Sequence, residues 1–241
     1  MKFLKSWMDY LYPPRCLLCR KLLGGGEFVC DPCLESLFSE TEACPICAYA
    51  HGSGRECPEC SHRELYIDGM LALGPYGGNL KRLIQDFKYQ GKKELVNLFT
   101  PYLVRGIESQ IQSGQWLVPC GVIPIPLCAG RLEERGFNQA ELLAEEAASQ
   151  LGLPLMNVLV RVKDTESQAR LGRRERAVNL QGAFRLREEK LSDALKEKPI
   201  SQVKSLLLID DIFTSGATMN EAARVLRQGG VEILYAAVIG R

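Results

Sequence analysis

The sequence predicts an α/β protein: a doubly wound, mainly parallel sheet with a small zinc-binding head at the N-terminus. Three observations carry this. Leu206, Leu207, Leu208 and Ile209 run together, then come Asp210 and Asp211, a Thr-Ser-Gly-Ala-Thr turn and a helix pattern. Val122 to Pro126 reads as a second strand running into a loop and a strongly amphipathic helix. Eight of the ten cysteines fall within the first 60 residues as four Cys-x-x-Cys pairs.

Size and composition set the frame. A chain of 241 residues accommodates one substantial α/β unit and a smaller one. Hydrophobic content of 46% and charged content of 24% are ordinary for globular proteins. The net charge of +1 gives no global argument for nucleic acid or membrane as a partner. At the N-terminus Asp9, Pro13, Pro14 and Arg15 interrupt the apolar residues too early for a signal peptide or a membrane span. Cytoplasmic residence without stable membrane insertion is the expectation. Phe3, Leu4, Trp7, Met8 and Leu11 suit a short amphipathic helix packed on the protein.

The four pairs are Cys16/Cys19, Cys30/Cys33, Cys44/Cys47 and Cys57/Cys60. Two sulfurs of one Cys-x-x-Cys turn can face one ion, and two turns complete a tetrahedral Zn²⁺ site. About two structural zinc ions per chain are expected. Sequential pairing is simplest; interleaving, first with third and second with fourth, is the alternative. Gly24-Gly25-Gly26 and Phe28 fit a zinc ribbon, whose core is too small to fold without metal. His51 and His62 read as surface residues, since the cysteines fill both sites. The head is assigned residues 1–63 and the remaining unit residues 64–241.

Beyond the connector, Tyr66 to Leu73 reads as a strand. Leu80, Leu83, Ile84 and Phe87 then recur with helical spacing, with Asn79 as the cap and Gly91 as the stop. A second helix carries Leu95, Leu98, Phe99, Tyr102 and Leu103, and Pro101 is expected to kink or split it. Lys88, in Lys88-Tyr89-x-Gly91, meets a helix C-terminus, where a cation suits the dipole.

Strand Val122–Pro126 leads into a constrained loop, residues 127–136, and a helix through Phe137, Ala140, Leu143, Ala144, Ala147 and Leu151 closed by Gly152. Such folds place ligands at the carboxyl ends of strands. Arg131, Arg135, Asn138 and Gln139 gather there, and arginine binds phosphate oxygens bidentately. Cys128 and Cys120 read as small buried residues. Arg161 to Arg176 sets six cations against Asp164, Glu166 and Glu175, between strands at Leu155–Val160 and Ala183–Leu186. Residues 188–203 read as a surface connection. The aliphatic run at 206–209 is then a strand buried on both faces, with both carboxylates where it should end. The turn at Thr214 to Thr218 offers N–H groups and hydroxyls at a helix N-terminus, which suits phosphate. Met219, Ala222, Ala223 and Leu226 form that helix's apolar face, Gly229-Gly230 ends it, and Val231 to Ile239 is a final strand.

The run from Leu206 to Thr218 resembles the phosphoribosyl-pyrophosphate (PRPP) motif of type I phosphoribosyltransferases. The resemblance implies that fold. It also implies that Asp210 and Asp211 hold ribose hydroxyls, directly or alongside Mg²⁺, while Thr214, Ser215, Gly216, Ala217 and Thr218 wrap the 5′-phosphate. With Pro124-Ile125-Pro126-Leu127, Arg131-Leu132-x-x-Arg135-Gly136-Phe137-Asn138-Gln139, Lys88-Tyr89-x-Gly91, Arg161, Thr165, Gln168, Arg173, Arg176, Asn179 and Gly182-x-Phe184, the chain resembles the ComF family associated with bacterial DNA uptake. By that resemblance Cys128, Ala129, Gly130 and Arg131 form the pyrophosphate loop. Family members usually carry His-Pro there, so no histidine role transfers. The segment bearing Arg161, Arg173, Arg174 and Arg176 would be a flexible basic loop closing over PRPP, with single-stranded DNA contact as a second use. Its lack of aromatic platforms weakens the DNA case. The resemblance favours a competence protein that binds PRPP and Mg²⁺ and acts on single-stranded DNA with other competence proteins. The alternative is a phosphoribosyltransferase of nucleobase salvage. No catalytic base is identifiable.

Overall fold

The computed structural model describes residues 13–38, 43–49, 57–60, 64–163, 180–187 and 205–241. The expected N-terminal helix, His51, His62, most of the basic segment (164–179) and the connection at 188–203 lie outside these residues. In chain order the described strands are β1 (Gly69–Gly74), β2 (Val122–Pro124), β3 (Leu159–Arg161), β4 (Phe184–Leu186), β5 (Ser205–Ile212) and β6 (Ile233–Gly240). The helices are α1 (Asp31–Glu35), α2 (Gly78–Tyr89), α3 (Val96–Gln112), α4 (Ala129–Arg135), α5 (Gln139–Leu151) and α6 (Ala217–Gln228).

Four strands form one parallel sheet in the order β1-β6-β5-β2, while β3 and β4 pair antiparallel in a separate ribbon. β5 has a strand on either side, and burial of both its faces explains its unbroken apolar run. Its alternate residues feed two different cores. Leu206 and Leu208 join Met219, Ala222 and Leu226 of α6, whereas Leu207 and Ile209 join residues of α2, α3 and α5. α5, reached from β2 by way of α4, and α6, which follows β5, thus pack mainly on opposite faces. Neighbouring strands whose helices part in this way open a crevice at their carboxyl ends. β5 also continues through both carboxylates to Ile212, so the aspartates are strand residues rather than the start of a loop.

Several local expectations are corrected. Gly77, not Asn79, caps α2, and Asn79 lies inside the helix. Pro101 does not split the following segment: a 3-10 turn at Lys93–Leu95 leads into α3, which runs uninterrupted past it. The stretch 127–136 is not wholly loop, because Ala129 to Arg135 winds into α4, with Gly136 in the left-handed conformation as its C-cap. The Asn138 carboxamide caps α5 by accepting from Ala140 N–H at 3.1 Å.

Both edges of the sheet are covered. β2 is flanked by residues 154–156, with Val122 N–H donating to Pro154 O and Met156 N–H to Val122 O. β1 is covered by the cysteine-rich head, whose Pro45 carbonyl accepts from Met70 N–H at 2.9 Å. Glycine permits the closest approach: a Cβ on Gly74 would lie 2.6 Å from Leu37 O, so any side chain there would lift the head away. No helix among the described residues is long and apolar enough to cross a membrane.

Candidate functional site

The cysteines form two clusters, Cys16/Cys19/Cys30/Cys33 and Cys44/Cys47/Cys57/Cys60, each with its four sulfurs within 4.8 Å of one another. Pairing is therefore sequential. The Cys19–Cys30, Cys44–Cys60 and Cys47–Cys57 sulfurs stand 3.6 Å apart. Tetrahedral thiolate sites with Zn–S near 2.3 Å require sulfurs about 3.8 Å apart. The donors fit structural zinc in number, type and spacing. The two clusters repeat one design. Arg20 N–H donates to Cys16 O and Ala48 N–H to Cys44 O, and Arg20 and Ala48 both take positive φ, at 66° and 49°. Cys16 and Cys30 belong to the core with α2 and α3, whereas Cys44 and Cys47 belong to the core with α6. The head grips the sheet from both faces.

At the crevice the parallel register sets Pro124 beside Ile209, and Ile125 N–H donates to Ile209 O. The segment carrying Cys128, Ala129, Gly130 and Arg131 therefore leaves the sheet next to Asp210. Cys128 is buried, Ala129 and Gly130 are exposed and open α4, and Arg131 is the third residue of that helix. The thiol has the core position expected of it, so Cys128 can offer a ligand only its backbone.

Asp210 Oδ1 accepts from Asp211 N–H at 2.8 Å. Removal from water pushes the Asp210 carboxyl up to about 7, and the Asp211 charge adds to this against the opposing pull of Lys88, the Asp211 N–H and Arg161. Asp211 Oδ2 pairs with Lys88 Nζ at 2.9 Å, and both side chains are about nine-tenths buried. Lys88 also anchors the facing loop: its carbonyl accepts from Gln139 Nε2. Gln139 Oε1 accepts from Arg135 Nη1, and Arg135 Nη2 donates to the Tyr89 hydroxyl. The guanidinium lies over the Tyr89 ring at 4.9 Å, and Arg135 Nε is buried without a hydrogen-bond partner among the described residues. The arginine side of the crevice is thus wired to the carboxylate side through Lys88. From sequence alone, Lys88 has only a dipole role. Its position four residues after Ile84 put it on the buried stripe of α2, and that was the available signal.

After β5 the chain turns through Thr214 and Ser215, exposed and half-buried, into Gly216, the N-cap of α6. Gly216 has φ 75°, and a Cβ there would meet Phe213 Cζ at 2.3 Å. Ala217 N–H points to Ser215 Oγ at 3.4 Å. Both aspartates lie among the last residues of β5, and Thr214 to Thr218 run from its end into the start of α6. Phe213 in turn lies under Arg241, whose Nε donates to Cys47 O at 2.6 Å and whose Nη2 stands 3.7 Å from Cys47 Sγ. One arginine thus touches both the second cysteine cluster and the ring that supports the turn.

Of the basic segment, Arg161 is described. It lies over the Phe184 ring at 5.7 Å and acts electrostatically on Asp210. Arg173, Arg174 and Arg176 lie outside the described residues. The foot of the segment is fixed: Lys163 Nζ donates to Gln181 O at 2.6 Å and Gly182 N–H to Glu221 Oε1 at 2.7 Å.

A double zinc ribbon borne by a phosphoribosyltransferase fold is the class of protein these features define. The family model for the double zinc ribbon domain matches residues 7–61, and that for the phosphoribosyl transferase domain matches residues 138–241. The chain is 32% identical to Competence protein F of Haemophilus influenzae over 224 residues, covering 90% of this chain and 93% of that protein. It is 30% identical to Competence protein ComFC of Bacillus subtilis over 89% of each chain. It is 27% identical to DNA utilization protein YhgH of Escherichia coli K12, over 90% of this chain and 92% of that one. The chain belongs to the ComF family.

Proposed function

We propose that this chain binds PRPP together with Mg²⁺ in the crevice between β2 and β5, and that it serves in the uptake and processing of single-stranded DNA during competence. The observation that carries the PRPP reading is the convergence at one switch point of two unlike recognition surfaces. On one side, Asp210 and Asp211 are hydrogen-bond acceptors for ribose hydroxyls, and the turn from Thr214 to Thr218 presents N–H groups to a phosphate at the start of α6. On the other, Arg131 and Arg135 supply cations for a pyrophosphate beside Cys128, Ala129 and Gly130. When bound, Mg²⁺ neutralises phosphate oxygens.

The DNA role rests on the relatives, two of them named competence proteins and the third a DNA utilization protein. The basic segment beginning at Arg161 supplies the charge for it, and other competence proteins are the partners it implies. We take residues 1–63 as the zinc-binding unit and residues 64–241 as the phosphoribosyltransferase-like unit, working in the cytoplasm.

PRPP with Mg²⁺ is expected to raise the melting temperature, and the Asp210→Ala/Asp211→Ala double variant to lose that rise. An equal rise in the double variant refutes the site. Incubating labelled PRPP with nucleobases, and separately with DNA, while following pyrophosphate release separates turnover from binding. Single-strand affinity should fall steeply with salt and on neutralising Arg173 and Arg174; salt-independent binding counts against the DNA role.

A further inference from the structure

The carboxylate pair has the composition of a divalent-cation site, yet one oxygen of each carboxylate is already engaged by a donor of the chain itself. Asp211 Oδ2 is already held by the Lys88 ammonium at 2.9 Å, and Asp210 Oδ1 by the Asp211 N–H. Mg²⁺ needs several oxygen donors near 2.0–2.1 Å in octahedral array and sheds water reluctantly. A fixed ammonium beside the same carboxylate repels that ion at short range. Lys88 is not a chance neighbour. It sits on the buried face of α2 beside Phe87, and its carbonyl is bonded to Gln139. The next residue, Tyr89, carries the Arg135 guanidinium. The ammonium has few alternatives to the carboxylate, because both side chains of the pair are about nine-tenths buried and a lone buried charge is costly.

We propose that Lys88 is the resident counter-ion of the Asp210-Asp211 pair, closing it to free divalent cations and reserving it for ligands that present hydroxyl groups. Any divalent ion in the crevice then arrives on the ligand's own phosphates, and the carboxylates take hydroxyl hydrogen bonds. Lys88 acts here as a specificity-determining residue. The proposal rests on the phosphoribosyl reading of the site only for the identity of the hydroxyl-bearing ligand; the exclusion of cations follows from the ion pair alone.

The test uses the zinc-loaded full chain and Mn²⁺ as probe, with free Mn²⁺ followed by electron paramagnetic resonance. The wild type should show no site at the pair tighter than about 1 mM. Lys88→Met should gain one site per chain, roughly tenfold or more tighter, and lose it again when Asp211→Asn is added. Lys88→Arg, which keeps the cation, should behave as the wild type. A wild-type stoichiometric Mn²⁺ site that disappears in Asp210→Asn/Asp211→Asn overturns the proposal, as does a folded Lys88→Met that gains nothing. Should Lys88→Met fail to fold, Lys88→Gln replaces it, and the wild-type titration against the double Asn variant decides alone. A PRPP titration on the same samples separates the two readings. Absent PRPP binding with Mn²⁺ still excluded refutes the ligand and leaves the counter-ion; PRPP binding beside a wild-type Mn²⁺ site refutes only the counter-ion.

Discussion

Asp210 takes up a proton far more readily in the folded chain than in the unfolded one, its carboxyl standing near 7 against an ordinary 3.8. Over that interval the native state binds more protons, so stability falls as pH rises, and the contribution present below about pH 4 is gone above about pH 7. Asp210→Asn removes the dependence. The variant should melt a few degrees above the wild type near pH 8 and lose that advantage near pH 5; parallel curves would contradict the assignment. Gly216 gives a second residue-scale prediction. With φ 75° and Phe213 Cζ 2.3 Å from the site of a Cβ, Gly216→Ala must displace the ring and hold a strained backbone. The expected cost is about 1–3 kcal/mol, read by denaturant titration, with loss of the PRPP-induced rise in melting temperature. At this scale the sequence was most legible where one short run holds a strand end, a turn and a helix start together, as from Asp210 to Thr218. It was least legible where partners lie far apart in the chain. Lys88 and Asp211 are such a pair: periodicity places a lysine on a buried stripe but cannot say which charge it meets.

Glu221 ties α6 to the foot of the basic segment. Its Oε1 accepts from Gly182 N–H at 2.7 Å and from Arg224 Nη2 at 2.7 Å, and its Oε2 accepts from Arg224 Nε at 2.8 Å. Burial pushes this carboxyl up, yet Arg224 and the Gly182 N–H hold it below its usual value. Glu221→Ala strands both donors and should cost about 1–3 kcal/mol, while Glu221→Gln, which can still accept from Gly182, should cost less. Equal losses in the two variants would mean that the Gly182 bond contributes nothing. The apolar rhythms of α2, α5 and α6 announced their buried faces plainly, because an amphipathic helix writes its contact into its spacing. α4 was missed: seven residues without an apolar stripe and with no buried side chain carry no such signal. Pro101 fails to split its helix for a different reason. Proline removes one hydrogen bond, and α3 has enough buried side chains, from Leu98 to Ile107, to remain one helix through that loss.

At the scale of the whole molecule, the head and the sheet depend on each other. Cysteine spacing foretold two metal sites and left their pairing open, and nothing in the sequence foretold that the first cluster would join the core under α3 and the second the core under α6. Stripping the metal should release about two zinc ions per chain and lower the melting temperature. Hydrogen exchange should locate the damage. The Met70 amide, bonded to Pro45 O, should lose protection first, and amides of β5, paired on both sides, should keep theirs. Simultaneous loss at both would indicate that head and sheet unfold as one unit.

The Pro45–Met70 contact has a practical consequence. A strand with one side unpaired is a template for another molecule's strand, and the head is what keeps β1 from serving as one. Chelator-treated protein is therefore expected to fail by self-association before it fails by unfolding, with light scattering rising at high concentration while circular dichroism is still native. Handling losses in chelating buffers would then report an unsealed sheet margin rather than an unstable core.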